Sequence, residues 1–389
     1  MIFDRDTHLA VLSRDWAGLI PAALLGAAGA ALVANASPWS LAAGGLLAAC
    51  ALILAAGAAW HLLHLARVKA RHPAPGRLVN VGGFRLHVLA EGECKGAPAV
   101  VWLPGGHSGG FALYHLHRIL REETRSILID RAGTGWSDIG PFPRTTAREV
   151  VEVIAALQSA GEKGPFILAG HSFGGLLAAN IARRRPDLTA ALILLDATPP
   201  DTLIYGPRLA NLARARLFAT WTAIRHLYGL HRDRTQDRDR RNPTTTRLPD
   251  LIAERLGSEG VAARALEARS RGPCATASIS TELTAEGMAR VGWETAVYDG
   301  DLGGLPVLLV APADMVEFAT LPAAVAATAR GEAGASEVAR MRRIFAHSRE
   351  RYLATSTTSR RIYSPAGTGH NFPYEAPEFV AEVVRSCLK

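Results

Sequence analysis

The stretch FILAGHSFGGLLAANIARRRPDL, residues 166–188, changes character at Gly170. An apolar, strand-like run precedes this glycine, and after Gly175 the apolar residues resume at helical spacing. The intervening GHSFGG matches G-x-S-x-G, a pattern that places its serine on a tight turn between a strand and a helix. Such a turn exposes the hydroxyl at the positive N-terminal end of the helix. Ser172 is therefore a candidate nucleophile.

The glycines of this turn have a predicted role of their own. We expect Gly170 and Gly174 to be small because the turn and the neighbouring strands leave little room for side chains. The competing interpretation is that Ser172 only caps the following helix. Motifs elsewhere in the chain help to distinguish a nucleophilic Ser172 from a helix-capping one.

Short apolar runs bounded by Gly, Pro or Asp recur from Arg77 onward and are typical of strands buried on both faces. The predicted strands are 78–81, 84–90, 99–103, 126–130, 166–169, 191–195, 307–310 and 360–363. Helical patterns separate them, for example residues 145–160, where Thr145 is a predicted cap. This alternation predicts a mostly parallel sheet with helices on both faces.

The alternation stops between residues 197 and 304, a segment rich in Arg, Leu and Ala. A segment of this length is too long for a loop, so we interpret it as a mainly helical insertion between two strands. Its apolar residues would offer a pocket lining, and we expect that role for Leu209, Leu212, Leu217, Phe218, Trp221 and Leu227.

The N-terminal region differs from the rest of the chain, since residues 16–66 contain no Asp, Glu, Lys or Arg. This length allows two bilayer crossings of about 20 residues each, and we predict spans at 16–33 and 39–60 joined by a turn at 35–38. Tryptophans lie near three of the four ends, as interfacial anchors do. Ala22, Gly26 and Ala30 recur every fourth residue and would let the two helices approach closely.

Basic residues flank this hairpin whereas its turn is uncharged; they are Arg5, Arg14, Arg67, Lys69, Arg71 and Arg77. The positive-inside rule then predicts that both termini and the large domain are cytoplasmic. A cleaved signal peptide is disfavoured by the length of the apolar region. An Ala-rich helical pair packed on a soluble domain is one alternative. A single span with the domain outside is another, disfavoured because the basic cluster would then be translocated.

The formal net charge of +8 fits attraction to anionic lipid, and we identify no nucleic-acid-binding module. The four cysteines form no C-x-x-C pair, which argues against a disulfide framework or a zinc site and fits a reducing compartment. They are Cys50, Cys94, Cys274 and Cys387.

Four segments appear in the order and spacing of a known superfamily: VVWLPGGHSGG (100–110), LIDRAGTGWSD (128–138), residues 164–200, and GTGHNFPYEAPEFVAEVV (367–384). Over residues 77–389 the chain resembles the α/β-hydrolase superfamily, and within it the membrane-anchored, proline-iminopeptidase-like serine hydrolases of bacteria. The resemblance implies an eight-stranded, mostly parallel sheet. It also implies an anchor at 1–72 in the bacterial inner membrane, a hydrolase domain at 73–389 on the cytoplasmic side, and a helical lid at 197–304.

The resemblance also assigns the remaining catalytic groups. His370 follows the last predicted strand, where the fold places its base. Asp314 follows the seventh strand, the usual position of the acid, but the common preceding glycine is missing. Asp196, after the sixth strand, is the alternative acid. Phe173 would donate one backbone N–H to the oxyanion, and Gly106 rather than His107 would donate the second.

These assignments predict a cofactor-free and metal-free serine hydrolase that cleaves carboxylic esters, apolar or lipid-like ones included, through an acyl-enzyme. Its partners would be a small acyl substrate and the lipid bilayer. An iminopeptidase-type peptidase is the alternative within enzymes, and a non-catalytic ligand receptor is the alternative outside them. Relatives that act on haloalkanes or epoxides have aspartate where this chain has Ser172, which disfavours those activities. The triad alone leaves a cofactor-independent peroxidase open.

Overall fold

The core of the protein is an eight-stranded sheet. In the computed structural model, residues 7–106, 108–142, 144–199, 212–230, 297–313, 336, 339, 343, 347 and 349–388 are described. The strand order is β1-β2-β4-β3-β5-β6-β7-β8. The strands are β1 (Arg77–Asn80), β2 (Arg85–Glu91), β3 (Ala99–Leu103), β4 (Ser126–Ile129), β5 (Phe166–His171), β6 (Thr189–Leu195), β7 (Val307–Ala311) and β8 (Ser359–Tyr363).

Most of this sheet is parallel. β1 pairs with β2 and β2 with β4 in antiparallel fashion, and every other neighbouring pair is parallel. All eight predicted strands are present, and their ends differ from the predicted ones by at most two residues. The predicted α/β architecture with an eight-stranded, mostly parallel sheet is therefore confirmed.

Helices cover both faces of the sheet. The labelled helices are α1 (Thr7–Leu12), α2 (Leu19–Ala34), α3 (Pro38–Arg71), α4 (Tyr114–Leu120), α5 (Thr146–Ser159), α6 (Phe173–Arg184), α7 (Leu212–Leu227), α8 (Phe372–Glu375) and α9 (Pro377–Arg385). Residues 349–354 are also helical. α5 begins where the sequence predicts, because the Thr145 side chain accepts a hydrogen bond from Arg148 N at 3.2 Å.

Alternate residues of each central strand enter two separate cores. In β3, Val101 and Leu103 pack into the core that α5 and α6 cover, and Val100 and Trp102 pack into the core that α4 and α9 cover. All five β3 residues are buried. A strand that is buried on both faces has no polar side, which explains the continuous apolar runs of the sequence.

The two apolar N-terminal helices form an antiparallel pair. The helices are in tight contact at Gly29 and Gly44, where a Cβ on Gly29 would lie 2.9 Å from Gly44 O and a Cβ on Gly44 would lie 2.7 Å from Gly29 O. A Cβ on Gly26 would be in ordinary contact with Ala51, at 3.8 Å. α3 begins with a capping box in which the Ser37 and Ser40 side chains each accept a backbone N–H.

α3 is longer than predicted: it continues past Trp60 to Arg71, because nothing between them breaks a helix. Two segments, Asp15–Ala34 and Pro38–Arg71, are long and apolar enough to cross a membrane by length and composition.

Within the predicted insertion at 197–304, the described residues beyond Thr198 and Pro199 are 212–230 and 297–304. The expected apolar lining is only partly described. Leu227 packs against Gly18 of the N-terminal region instead of a pocket, and the Leu217 and Trp221 side chains are exposed. The side chains of Leu209, Leu212 and Phe218 lie outside the described residues.

Candidate active site

The backbone at Ser172 is strained. Ser172 has φ +53° and ψ −122°, values that a non-glycine residue rarely adopts. It lies between the last residue of β5 and the first residue of α6, and its N–H donates to Leu195 O at 3.0 Å. The predicted strand–turn–helix arrangement around Ser172 is present, and its strained turn is typical of a serine presented to a substrate.

The two glycines of the turn are required by close backbone contacts. A Cβ on Gly170 would lie 2.4 Å from Gly174 O, and a Cβ on Gly174 would lie 2.0 Å from Leu103 O. Neither position accommodates a side chain without moving a backbone segment. The turn is therefore packed between β3 and α6 as the sequence predicts.

The strand order brings further candidate groups to Ser172. β5 lies between β3 and β6, so the segments that follow these three strands meet at one edge of the sheet. Gly105, after β3, is close enough that a Cβ there would lie 3.2 Å from Ser172 Cβ. The strand order changes direction between β3 and β5, and such switch points are where ligands bind in open α/β sheets.

His370 and Asp196 form a hydrogen-bonded pair at this edge. His370 Nδ1 is 2.7 Å from Asp196 Oδ2, and the sequence separates the two residues by 174 positions. Asp196 follows β6 directly and has φ +42°, a left-handed conformation that aspartate tolerates better than most residues. The carboxylate is buried, whereas about a third of the His370 side chain is exposed.

Asp196 has a second charged neighbour that the sequence analysis did not identify. Arg349 Nη2 forms an ion pair with Asp196 Oδ1 at 2.6 Å, and both side chains are nearly buried. Burial by itself raises the pKa of the Asp196 carboxyl. The hydrogen bond with His370 and the positive charge of Arg349 outweigh burial, so the pKa of Asp196 lies below its usual value. The group is a carboxylate at neutral pH.

His171 contacts the loop of His370 rather than the serine hydroxyl. Its Nε2 is 2.9 Å from His370 O, and the two imidazole rings lie 4.7 Å apart between centroids. Burial, with the neighbouring His370 charge, lowers the pKa of His171 to about 3. His171 is thus neutral and donates to the His370 carbonyl, so it packs against the loop of His370.

Two predicted positions fall outside the described residues. These are Asp314, the acid that the sequence favours, and His107, the alternative oxyanion donor. Gly106 is the second residue of a turn that Ser108 N and Gly105 O close at 3.1 Å. Among the described residues, nothing lies within 4 Å of a Cβ built on Gly106. Phe173 is the first residue of α6, directly after Ser172.

Arg131 links both candidate oxyanion donors, and the sequence analysis missed it. Its buried guanidinium donates to the carbonyls of Gly105 at 3.1 Å and Ser108 at 3.4 Å, and also to the carbonyl of Gly106. The same group lies 5.3 Å from the centroid of the Phe173 ring. Its other nitrogen pairs with Glu149 Oε2 at 2.9 Å. Arg131 therefore fixes the loop that follows β3.

The glycine-containing segment DRAGTGWSD has a structural role around Asp130. This buried carboxylate accepts hydrogen bonds from Gly110 N at 2.7 Å and Trp136 N at 3.1 Å, and it pairs with His87 at 2.9 Å. A Cβ on Gly135 would lie 2.2 Å from Asp130 Oδ2. The glycine thus makes room for the carboxylate, and the segment holds the loop that follows β3 through Gly110.

Metal-binding side chains and cysteines are the other candidate groups in the described part of the chain. There, no group of three or more His, Cys, Asp or Glu side chains is arranged to hold a metal ion. Cys50, Cys94 and Cys387 are free thiols, and Cys274 lies outside the described residues.

Residues 100–383 match the family model described as "Alpha/beta hydrolase family". The uncharacterised protein YbdG of Bacillus subtilis is 27% identical over 174 residues, which are 44% of this chain and 52% of YbdG. The putative carbamate hydrolase RutD of Klebsiella pneumoniae is 34% identical over 132 residues, which are 33% of this chain and 48% of RutD. The chain therefore spans about half the length of these two relatives.

Solved structures agree in fold. A putative acyltransferase from Salmonella enterica superposes with a TM-score of 0.56 at 15% identity, covering 81% of this chain and 96% of the acyltransferase. Identity at that level shows a common fold and nothing finer.

Proposed function

Because the chain belongs to the alpha/beta hydrolase family, we propose that it is a serine hydrolase in which Ser172 attacks an acyl carbonyl carbon. The observation that supports this most directly is the 2.7 Å contact between His370 Nδ1 and Asp196 Oδ2, beside the strained turn of Ser172. A serine needs a base, and the base needs a group that orients it. We assign these roles to His370 and Asp196.

In the proposed reaction, the Ser172 hydroxyl oxygen bonds to the carbonyl carbon while its proton moves to His370 Nε2. The carbonyl π electrons move to the oxygen, which becomes an oxyanion. When the carbonyl re-forms, the bond to the leaving oxygen breaks, and His370 returns the proton to it. A water molecule then attacks the carbonyl carbon of the acyl-enzyme while His370 accepts its proton. The bond to the Ser172 oxygen breaks, that oxygen takes the proton back from His370, and the carboxylic acid is released. Asp196 holds Nδ1 protonated throughout, so that Nε2 faces the serine.

We propose the N–H groups of Phe173 and Gly106 as donors to the oxyanion. Phe173 is the first residue of α6, so its N–H lies at the helix N-terminus, where the helix dipole also favours negative charge. Gly106 is supported by its place in the turn beside Gly105, which contacts Ser172. Both donors are main-chain groups, so they cost no side-chain reorganisation when the charge develops.

The proposed substrates are carboxylic esters, including apolar and lipid-like ones. Support comes from the apolar hairpin, for which we propose a membrane anchor at residues 1–72 of a bacterial inner-membrane protein. The hydrolase domain at 73–389 would then lie on the cytoplasmic side, the side of the flanking basic residues. An anchor keeps the active site near acyl groups dissolved in the bilayer.

The first prediction tests the nucleophile. Ser172→Ala should lower kcat on p-nitrophenyl esters by on the order of 10⁴–10⁶-fold, because the oxygen that forms the acyl-enzyme in the proposed reaction is then missing. The same variant should lose labelling by a fluorophosphonate. Ser159→Ala is the control, since the Ser159 hydroxyl donates to Asn80 O on an exposed surface.

Three results would count against the proposal. Labelling that persists in Ser172→Ala would move the nucleophile elsewhere. A wild-type protein that neither labels nor turns over any chain length of ester would instead be a ligand receptor on the same fold. Faster turnover of a prolyl p-nitroanilide than of every ester would identify a peptidase.

The second prediction concerns Arg349. Its charge offsets part of the Asp196 charge that stabilises the protonated imidazole of His370. Without the Arg349 charge, the His370 imidazole should keep its proton to higher pH, and the acidic limb of the kcat/KM profile should move to higher pH in Arg349→Gln. Arg351→Gln is the matched control, because Arg351 pairs with Asp299 at 3.4 Å. An acidic limb that moves in neither variant would reduce Arg349 to a structural role.

A further inference from the structure

α7 is docked on the N-terminal hairpin. The Tyr228 hydroxyl, directly after α7, donates to Gly18 O at 3.0 Å. Thr220 Oγ1, in the middle of α7, lies 3.1 Å from His8 Nε2. A Cβ on Gly229 would lie 2.9 Å from Cδ1 of Trp60. The insertion and the apolar hairpin therefore share one packed surface.

The docking point lies at one particular level of the hairpin. Gly18, where α2 is about to begin, faces Ala58, since a Cβ on Gly18 would lie 3.2 Å from Ala58 Cβ. The part of α3 that runs beside α2, from Pro38 to Ala58, is therefore about 30 Å long at about 1.5 Å per residue. That length matches the hydrocarbon core of a bilayer, which is about 30 Å thick.

Two tryptophans lie at the level of the hairpin where α7 is docked. Trp16 and Trp60 lie near Gly18 and Ala58 in sequence, and each is more than half exposed. Tryptophan is enriched where the hydrocarbon core meets the headgroups. α7 thus contacts the hairpin where the hairpin would leave the hydrocarbon.

One face of α7 is apolar and exposed. Leu217, Trp221 and Ile224 follow one another at i, i+4 and i+7, and their side chains are 70%, 56% and 36% exposed. The adjacent face is buried at Ala223 and Leu227. Within the described part of the chain, the exposed residues are therefore not the ones that pack the helix onto the protein.

The charge of α7 has a single sign. The helix contains Arg214, Arg216 and Arg225, and its sequence LARARLFATWTAIRHL has no acidic residue. A helix with an apolar face and arginines lies in the surface of a membrane that contains anionic lipid, with its apolar side about 5–10 Å deep. The occupant that fits this face is an anionic lipid bilayer.

We propose that α7 is a surface-lying membrane helix whose Leu217–Trp221–Ile224 face contacts the same bilayer as the hairpin. This inference rests on the membrane anchor proposed above. The insertion that follows Asp196 would then be held at the level where lipid-dissolved esters lie.

The test is spin labelling of the full chain in vesicles of phosphatidylcholine and phosphatidylglycerol, with the four native cysteines replaced. Labels at Leu217→Cys and Ile224→Cys report on the proposed face. A label at Leu52→Cys, 72% exposed on α3, reports on the anchor. A label at Val151→Cys, 57% exposed on α5, is a matched apolar control on the hydrolase domain.

Collisions with oxygen and with a water-soluble nickel chelate give the depth of each label. We expect the Leu52 label deep in lipid, the Val151 label in water, and both α7 labels at a shallow depth in lipid. Labels on α7 that behave like Val151 while Leu52 is deep would overturn the inference and leave the anchor standing. A Leu52 label in water would overturn the anchor and the inference together.

Discussion

We expect Asp196→Asn to lower kcat/KM by about 10³–10⁴-fold, and Asp314→Asn to leave it within a few-fold of the wild-type value. The reason is the contact of 2.7 Å between Asp196 Oδ2 and His370 Nδ1. An asparagine amide that donates to Nδ1 selects the imidazole tautomer with its proton on Nε2, and that tautomer cannot accept the serine proton. Steady-state kinetics on one p-nitrophenyl ester, for all three proteins side by side, measures the effect.

A loss of activity in Asp196→Asn must be separated from a loss of folding. The substitution removes the Asp196 carboxylate from its ion pair with the buried Arg349, and breaking a buried ion pair by removing one partner can cost about 3–5 kcal/mol. The double variant Asp196→Asn/Arg349→Gln removes both charges. The double variant should regain most of the free energy of unfolding that Asp196→Asn loses, and it should remain as inactive as the single variant.

The opposite pattern would assign the acid elsewhere. If folded Asp314→Asn is inactive and Asp196→Asn retains activity, the triad acid is Asp314. The bond between His370 and Asp196 would then serve only to hold the loop after β8. Chemical denaturation of each variant, run beside the kinetics, distinguishes that result from unfolding.

The two candidate acids illustrate what the sequence can predict. Apolar runs and their breaks locate β6 and β7, so Asp196 and Asp314 are both expected at the carboxyl edge of the sheet. These strands are neighbours, and a loop after either one can reach a histidine that follows β8. Which carboxylate meets His370 depends on how two loops pack, and spacing along the chain does not encode that. The contact with Asp196 therefore emerges only in three dimensions.

The arginines were missed for a related reason. Arg349 meets Asp196 across 153 positions of sequence, and no local pattern connects them. Arg131 lies inside a segment whose glycines indicate a turn. Its side chain, however, donates to carbonyls of a different loop, the one that follows β3. By contrast, Gly170, Ser172 and Gly174 were predictable, because a tight turn imposes its size limits on consecutive residues.

Replacing Arg131 should damage both folding and catalysis. Its side chain is 2% exposed, and Arg131→Met removes the 2.9 Å ion pair with the buried Glu149, whose contact with Arg144 is longer, at 3.5 Å. We expect the free energy of unfolding to fall by about 3–5 kcal/mol. We also expect kcat to fall by about 10²-fold, because the loop with Gly106 is no longer held in place beside Ser172.

The double variant Arg131→Met/Glu149→Leu separates the two effects. It also removes the buried carboxylate that lost its partner Arg131, so most of the lost free energy of unfolding should return. Activity should not return, because the guanidinium that donates to the carbonyls of Gly105 and Gly106 is still missing. If kcat recovers together with stability, Arg131 contributes to folding alone.

The division between kcat and KM gives a second readout for Arg131. A loop that presents a donor to the oxyanion acts in the transition state, so the loss should appear in kcat with KM little changed. Arg131→Lys keeps a positive charge near Glu149. The lysine ammonium lacks the planar guanidinium with which Arg131 donates to several carbonyls at once. We therefore expect Arg131→Lys to recover stability more fully than kcat, and equal recovery of both would contradict a positioning role for Arg131.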